Sequence, residues 1–578
     1  MKTNRNMSNL QIAKLFRAVA AALELAGGES NKFKIIAYQR AADAIEHSSS
    51  EVKDLWDDGK LKELAGVGES IAASLDELFK TGKVKHFEQV LKPFPPAVFE
   101  LMEIPGIGPK TALKFCKELG ITKAHSAISE LYKAAKKGRI DERFLKSIAE
   151  YQDRSKRLLL DTAQTISDSL VDWMTKNPYV KQINALGSLR RQASTVGDID
   201  IAVATDLPTE VIDHFTKYPQ KSRVLEAGDH SASLILPNES QVDLMVQPQA
   251  AYGALLQHFT GSKHHNIKLR EYALKKGYSL SEYGIKNLKS QNSKLKTFSD
   301  EKTFYNYLGL DWIPPELREG ENEIELARNH KLPKLVEVAD IKGDLQMHSN
   351  FNIEPSHDLG ISSIDELAIK GQSLGYEYIG VTDHNPSVFG HTQAQIINLI
   401  KKRTEVVQNK KRAIHVFNSL EIDIQPDGKR ALPDSCLDLL DYVCVSIHSS
   451  FRLNRKDMTD RVLLALDHPK VKFLAHPTGR LLGEREGVEL DWDRIFDFCL
   501  KNNKYLEIDG WPNRLDLPDV IAKDAIKHGI KLIVDTDSHS AEQLVYMRYG
   551  VSVARRAWAT KSDILNTLSL SEIKKILC

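Results

Sequence analysis

Gly187-Ser188-Leu189-Arg190-Arg191, followed closely by Gly197-Asp198-Ile199-Asp200, sets a phosphate-binding turn beside two carboxylates. Asp198 and Asp200 lie two apart in an apolar run (Ile199, Ile201, Ala202, Val203), so a strand here points both to one face of its sheet. Their like charges repel, and a hard divalent cation such as Mg²⁺, which takes carboxylate and phosphate oxygens, relieves the repulsion. Two such ions, about 3.5–4 Å apart, activate a 3′-hydroxyl and steady a leaving pyrophosphate. That chemistry asks for a third carboxylate on a neighbouring strand. Gln241-Val242-Asp243-Leu244-Met245-Val246 supplies it, with Asp243 the only charge in an apolar run after a turn at Pro237-Asn238-Glu239. Gly187, Ser188 and Gly197 are expected to bring backbone amides to a triphosphate, with Arg191 neutralising it. A lone D-x-D would be an edge strand with two solvated acids; the upstream turn, the paired arginines and the third Asp point instead to nucleotidyl transfer.

These residues resemble the DNA polymerases of family X, within the nucleotidyltransferase superfamily. His258-Phe259-Thr260-Gly261-Ser262, followed by Asn266 and Arg270, is similar to the family's nucleotide-binding segment, usually Y-F-T-G-S. The resemblance implies that His258 and Phe259 flank the sugar, that Asn266 bonds the incoming nucleotide near its base, and that Arg270 tracks the template-side minor groove. The chain departs at His258, where the family has Tyr, and at Gln192, where the mammalian repair enzyme has Gly. The implied activity is template-directed filling of short gaps in DNA from dNTPs. Asp198, Asp200 and Asp243 would be catalytic and hold Mg²⁺, with Asp243 the proton acceptor.

Those residues need DNA held beside them. Leu64-Ala65-Gly66-Val67-Gly68-Glu69-Ser70-Ile71-Ala72 recurs in form as Ile104-Pro105-Gly106-Ile107-Gly108-Pro109-Lys110-Thr111-Ala112. In each, glycines let a turn approach a phosphate closely, and free amides at the following helix N-terminus bind it without reading bases. One such turn is a plain helix connector. Two copies, about forty residues apart, read as helix-hairpin-helix binding of gapped or primed DNA through Gly66, Gly68, Gly106, Gly108 and Lys110, independent of sequence and weakened by salt. The first copy, with Phe33-Lys34-Ile35-Ile36-Ala37-Tyr38-Gln39-Arg40-Ala41-Ala42, resembles the family's small amino-terminal domain. Where the mammalian enzyme has its Schiff-base lysine this chain has Ser74, and a serine cannot make that imine. Lys80, Lys83 and Lys85 are the nearby amines.

At 578 residues the chain exceeds a single core, and roughly three or four domains are expected. Helical patterns fill residues 1–85 and 86–150, the second a fingers-type subdomain. Alternating strands and helices mark a palm at 151–245, followed by a thumb at 246–318. Pro314-Pro315 and the charged stretch after them read as a linker at 319–338, before a second module at 339–578. A net charge of +1 gives no basic coat, so any DNA-binding surface must be local. Cys116, Cys436, Cys444, Cys499 and Cys578 show no C-x-x-C spacing, which suits a reducing cytoplasm. The apolar stretch from Leu10 to Ala26 is interrupted by Lys14, Arg17 and Glu24, which makes it an amphipathic helix rather than a signal peptide or membrane span. A monomer without membrane partners is the expectation.

In the last module, apolar runs end repeatedly in metal-capable side chains. Tyr378 to Asp383 leads to His384, His415 to Leu420 leads to Glu421, and Tyr442 to Ile447 leads to His448. Val471 to Ala475 leads to His476, and Lys531 to Val534 leads to Asp537 and His539. Any one histidine would be an ordinary packed residue. Five such ends, alternating with helical stretches such as Ser363 to Leu374 and Pro518 to His528, follow the logic of a β/α barrel. The module resembles the polymerase and histidinol phosphatase (PHP) domain, which implies up to three bound ions, Mn²⁺ or Zn²⁺, and a 3′–5′ exonuclease or 3′-end phosphoesterase activity.

The PHP pattern opens D-x-H-x-H-[ST] and soon reaches S-D-G. Here it reads Asp344-Leu345-Gln346-Met347-His348-Ser349, then Asn350-Phe351-Asn352-Ile353-Glu354. Gln346 replaces the first histidine and Ile353 stands at the later aspartate; an amide oxygen is a poor ligand and isoleucine is none. The resemblance then leaves one ion position with His348, Glu421 and Asp537 but short of a ligand at Gln346. A second has His384 and His539, short of one at Ile353 unless Asp358 or Glu354 folds back. A third, with Glu421, His448 and His476, is complete. Weak or absent exonuclease is expected. The implied whole is a multidomain α/β protein: a helical helix-hairpin-helix region, a palm of mixed β-sheet with helices, a thumb and a PHP-type distorted β/α barrel. Two other functions fit the same residues: a phosphoesterase whose main work is the barrel's, and a non-catalytic gap-binding scaffold.

Overall fold

The computed structural model describes residues 7, 9–27, 31–46, 52, 56, 61, 67–104, 106–141, 144, 145, 147, 148, 157–290, 294–388, 390–408 and 410–578. They divide into two compact units, Met1–Ser155 and Lys156–Cys578. In the first unit the described residues form helices and no strand. Two separate cores hold them. One gathers Ile12, Phe16, Tyr38, Leu75 and Phe87, where the three rings meet edge to face at 5.2–5.8 Å. The other gathers Leu101, Ile107, Phe115 and Leu131. Helix Asn9–Leu25 buries Ile12, Phe16 and Val19 while Gln11 and Lys14 stay exposed, the amphipathic pattern of its sequence.

The second unit is built on two sheets. The first has strands β1 (Gln182–Ala185), β2 (Ile199–Ala204), β3 (Arg223–Ala227), β4 (Ser231–Ile235) and β5 (Gln241–Gln247) in the order β1-β2-β5-β4-β3. The central pair, β2 and β5, is parallel and its neighbours are antiparallel. β2 is buried through Ile199, Ile201, Ala202 and Val203, which fixes its register and leaves Asp200 in the sheet's active face.

The second sheet is parallel throughout: β6 (Gly343–Met347), β7 (Tyr378–Val381), β8 (His415–Asp423), β9 (Tyr442–Ser446), β10 (Val471–Leu474), β11 (Tyr505–Asp509) and β12 (Leu532–Asp535) lie in sequence order. His348 N donates to Ser538 O at 2.7 Å, which brings the first strand's end to the last and nearly closes a barrel. β11 is absent from the strands expected of the sequence; its Glu507 and Asp509 are buried inside the barrel, where burial raises both carboxyls, with Asp509 adding to the rise at Glu507 and Asp537 to that at Asp509.

The stretch expected as a linker is packed. Glu323–Arg328 is a helix, Ala327 joins the core around Leu269, Phe304 and Leu317, and Glu323 is buried because His265 Nδ1 (2.7 Å) and Gly320 N (2.9 Å) both donate to it. Buried apolar side chains run in one contiguous cluster from the five-stranded sheet to the barrel. Among the described residues no helix is long and apolar enough to cross a membrane. All five cysteines are unpaired.

Candidate active site

Asp200 and Asp243 are register partners on the adjacent parallel strands β2 and β5. Asp198 lies on the exposed turn just ahead of β2, close enough for its charge to act on Asp200. Burial, then Asp243 and Asp198, push the Asp200 carboxyl up to about 7 against the pull of Arg191. A carboxylate crowded in this way gains most from a bound cation, so the three acids fit a divalent metal centre. Asp243 is held in place by Ser233 Oγ and by Gln241 Nε2, the latter 3.0 Å from both carboxylate oxygens.

The turn before them is fitted to Asp200. Gly187 has φ +57°, and a Cβ there would stand 2.5 Å from Asp200 Oδ2. Gly187→Ala therefore meets both a backbone penalty of about 1–2 kcal/mol and a displaced carboxylate. It is expected to lower single-turnover nucleotide incorporation about a hundred-fold, the scale of an ångström's misplacement in an active site. Ser188 is half-buried on the same turn, whose residues Gly187–Arg190 form one helical turn. Gly197 packs against the Arg157 guanidinium, 3.3 Å from where its Cβ would be.

The following segment docks on the two arginines. Arg190 donates to Thr260 Oγ1 (2.6 Å) and to both oxygens of Glu301 (3.0 and 2.6 Å), while Arg191 donates to Thr260 O (2.6 Å) and Glu319 Oε1 (3.2 Å). Gly261, at φ +68°, lets the Arg191 guanidinium pass; a Cβ would lie 3.1 Å from it. The His258 and Phe259 rings are 4.9 Å apart. Asn266 accepts from Gln257 Nε2 and donates to His258 O, and one turn later Arg270 is exposed on the same helix, Lys263–Lys275.

At the barrel rim the histidines and acids converge. His348 Nε2 is 2.9 Å from Asp537 Oδ1 and 3.3 Å from Glu421 Oε2, while His476 and His448 reach Glu421 Oε1 at 3.0 and 3.4 Å. Ile353 is fully buried among apolar side chains and takes no part. Asp358 does, 3.4 Å from His384 and 3.5 Å from His539. The loop carrying it is longer than the S-D-G spacing and returns to the barrel at Gly360 N to Ser349 O and Ile361 N to His539 O. Gln346 takes part without acting as a ligand: its amide Nε2 donates to Glu421 Oε2 (3.3 Å) and Asp537 Oδ1 (3.4 Å), bridging the two carboxylates with hydrogen bonds. Nδ1 of His348, His384 and His476 and Nε2 of His539 are buried without a hydrogen bond. The ring nitrogens that face the carboxylates, Nε2 of His348, His476 and His539 and Nδ1 of His384, are the ones that fit transition-metal ions.

Similarity to known proteins gives the family. Residues 255–319 match the DNA polymerase beta thumb model and residues 7–84 a helix-hairpin-helix domain model. The DNA polymerase/3′-5′ exonuclease PolX of Bacillus subtilis is 32% identical over 99% of both chains. The chain belongs to the bacterial PolX group of family X DNA polymerases. The DNA polymerase lambda of Arabidopsis thaliana is 24% identical over 54% of this chain and 62% of its own. A probable phosphatase of Thermoanaerobacter is 24% identical over 37% of this chain and 88% of its own. DNA polymerase modules and a PHP domain share this one chain.

The described residues of the second hairpin in this family X chain are open to solvent at its glycines. Gly106, Gly108 and Lys110 are exposed, and helix Pro109–Leu119 begins without a side-chain cap. Of the first hairpin, Gly66 lies outside the described residues; Gly68 is exposed at the start of helix Glu69–Thr81. Ser74 Oγ donates to Ser70 O, and Lys80 pairs with Asp76 at 2.8 Å.

Sequence reading missed the contacts that join the PHP domain to the polymerase. Helix Met547–Arg556 sends Arg556 to Arg191 O (3.0 Å) and Glu319 Oε1 (2.8 Å), and Ser552 Oγ to Gln192 Oε1 (3.0 Å). Gln192 itself is at φ +55°. The only sequence signal was the departure at Gln192.

Proposed function

We propose that this family X polymerase fills short gaps during DNA repair, taking dNTPs at the site of Asp198, Asp200 and Asp243. The juxtaposition of Asp200 and Asp243 across β2 and β5, with the Gly187 turn against Asp200, carries the reading. Two Mg²⁺ ions held by the three carboxylates would supply Lewis-acid activation of the primer 3′-hydroxyl and neutralise the departing pyrophosphate. Asp243, aligned by Ser233 and Gln241, accepts the hydroxyl proton. Amides of the Gly187–Arg190 turn, with Ser188, cradle the triphosphate. For Arg191 to face that triphosphate it leaves Glu319, and Arg556 stays behind to neutralise the carboxylate. His258, Phe259, Gly261 and Asn266 flank the nucleotide; Arg270 and the exposed hairpin residues hold DNA.

The proposed division is 1–85 and 86–150 for the DNA-holding helices, 151–245 palm, 246–318 thumb, 319–338 a packed connector and 339–578 PHP. A monomer working in the cytoplasm completes the reading.

The test is a one-nucleotide gap, with and without a 5′-phosphate, given each dNTP in turn with Mg²⁺ or Mn²⁺. Insertion of the complementary nucleotide alone is expected. Insertion of all four alike, or of none, overturns the proposal.

A second activity has its own support in the rim of His348, His384, Glu421, His448, His476, Asp537 and His539. We propose that it is a Mn²⁺- or Zn²⁺-dependent phosphoesterase acting on DNA 3′ ends.

A further inference from the structure

The lengthened loop delivers two neighbours to the rim. Asp358 completes the set with His384 and His539, and His357 turns the other way. His357 Nε2 and His448 Nδ1 both lie 2.8 Å from Asp423 Oδ1, and their rings are 4.3 Å apart. One ligand atom from each of these three residues lies within 4.8 Å of the others. The loop is pinned for this purpose by Ser356 N to Asn385 O (2.8 Å), and Asn385 Oδ1 accepts from Asp423 N (2.8 Å). Two imidazoles and a carboxylate make a three-ligand donor set of the kind that binds Zn²⁺ with an open position. Nearby, the Gln346 amide bridges Glu421 and Asp537 with hydrogen bonds.

We propose that His357, Asp423 and His448 form an ion site, Zn²⁺ by its donors, on the Asp423 side of the rim. His448 enters it through Nδ1, leaving its Nε2–H to donate to Glu421 Oε1, 3.4 Å away, so it serves this site in place of the position it would share with Glu421 and His476. The ring stays neutral and keeps a carboxylate partner, the arrangement that orients metal-bound histidines elsewhere. The PHP domain thus keeps an ion on the Asp423 side of the rim through a residue that its sequence pattern does not contain. This inference rests on reading the barrel as a metal centre.

The competing role for His357 is that of a hydrogen-bond donor buttressing Asp423, and two substitutions separate the roles. His357→Gln keeps an N–H for Asp423 but offers a poor ligand; His357→Glu removes the donor but offers a good one. Full-length protein is stripped of metal, checked for an unchanged melting temperature, and titrated with Zn²⁺ against a competing chelator. A ligand role predicts that Gln weakens the affected ion about tenfold or more while Glu stays near wild type. Equal affinities, or Gln binding as well as or better than Glu, overturn the site. If wild type itself binds no Zn²⁺, the metal-centre reading fails first and takes the site with it.

Discussion

Asp243→Asn is expected to cut single-turnover incorporation on gapped DNA by about a thousand-fold or more while leaving gapped-DNA affinity unchanged. Asparagine matches aspartate in size, so the packing of β5 between β2 and β4 is retained. The change falls on charge. Asp243 is the second-largest cause of the raised Asp200 carboxyl, after burial, and removing it eases the crowding that makes a cation welcome. The proton acceptor and one metal-facing carboxylate vanish together. The local cost to folding is small by comparison, since Ser233 Oγ rotates and only the Gln241 amide faces a new donor, about 1–3 kcal/mol at most. DNA affinity is expected to be insulated because the phosphate contacts proposed for the hairpin glycines and Lys110 do not involve Asp243. Rapid-quench incorporation and fluorescence anisotropy separate the two quantities. Turnover within tenfold of wild type would move the catalytic acid elsewhere.

Asp200 and Asp243 were legible because a strand's two-residue period leaves few readings for acids in apolar runs, and the two are register partners; Asp198, expected on the same strand as Asp200, instead precedes it on an exposed turn. The barrel strands from β7 to β10 and β12 were legible as short apolar runs, each leading to a metal-capable side chain. What stayed hidden depended on partners distant in the chain. Glu323 looked like part of a charged linker because nothing in its own segment reveals His265, 58 residues earlier. Asp358 was expected only as a fold-back alternative, since spacing gives the length of a loop and not its path; the backbone bonds from Gly360 and Ile361 decide that path. Glu507 and Asp509 hid a whole strand, because buried acids imitate surface ones until the barrel closes around them.

Glu301→Ala is expected to destabilise the Lys156–Cys578 unit by about 3–5 kcal/mol, the cost of removing one member of a buried ion group. Glu301 is only 5% exposed and sits between Arg190 of the phosphate turn and Arg318 at the end of the thumb, which is fully buried. Trp312 Nε1 also donates to it, at 3.3 Å. Alanine would leave both guanidiniums without their carboxylate, Arg318 away from water altogether. The neighbouring Asp300→Ala serves as a comparison: it caps the same helix, Glu301–Tyr307, by accepting from Thr303 N (2.8 Å), and its loss costs about 1 kcal/mol. Burial alone would raise the Glu301 carboxyl, but Arg318 and Arg190 outweigh it and hold it at about 2. A folded pKa below the unfolded one means stability that is complete above about pH 4 and lost as pH falls towards 2, roughly 3 kcal/mol in all. The gap in melting temperature between wild type and Glu301→Ala should therefore narrow across that window, whereas a gap constant from neutral pH to pH 2 would show that charge is not what Glu301 contributes. Because the same carboxylate fixes Arg190, and through Thr260 the nucleotide-binding segment, incorporation should weaken in Glu301→Ala even at temperatures where the fold survives.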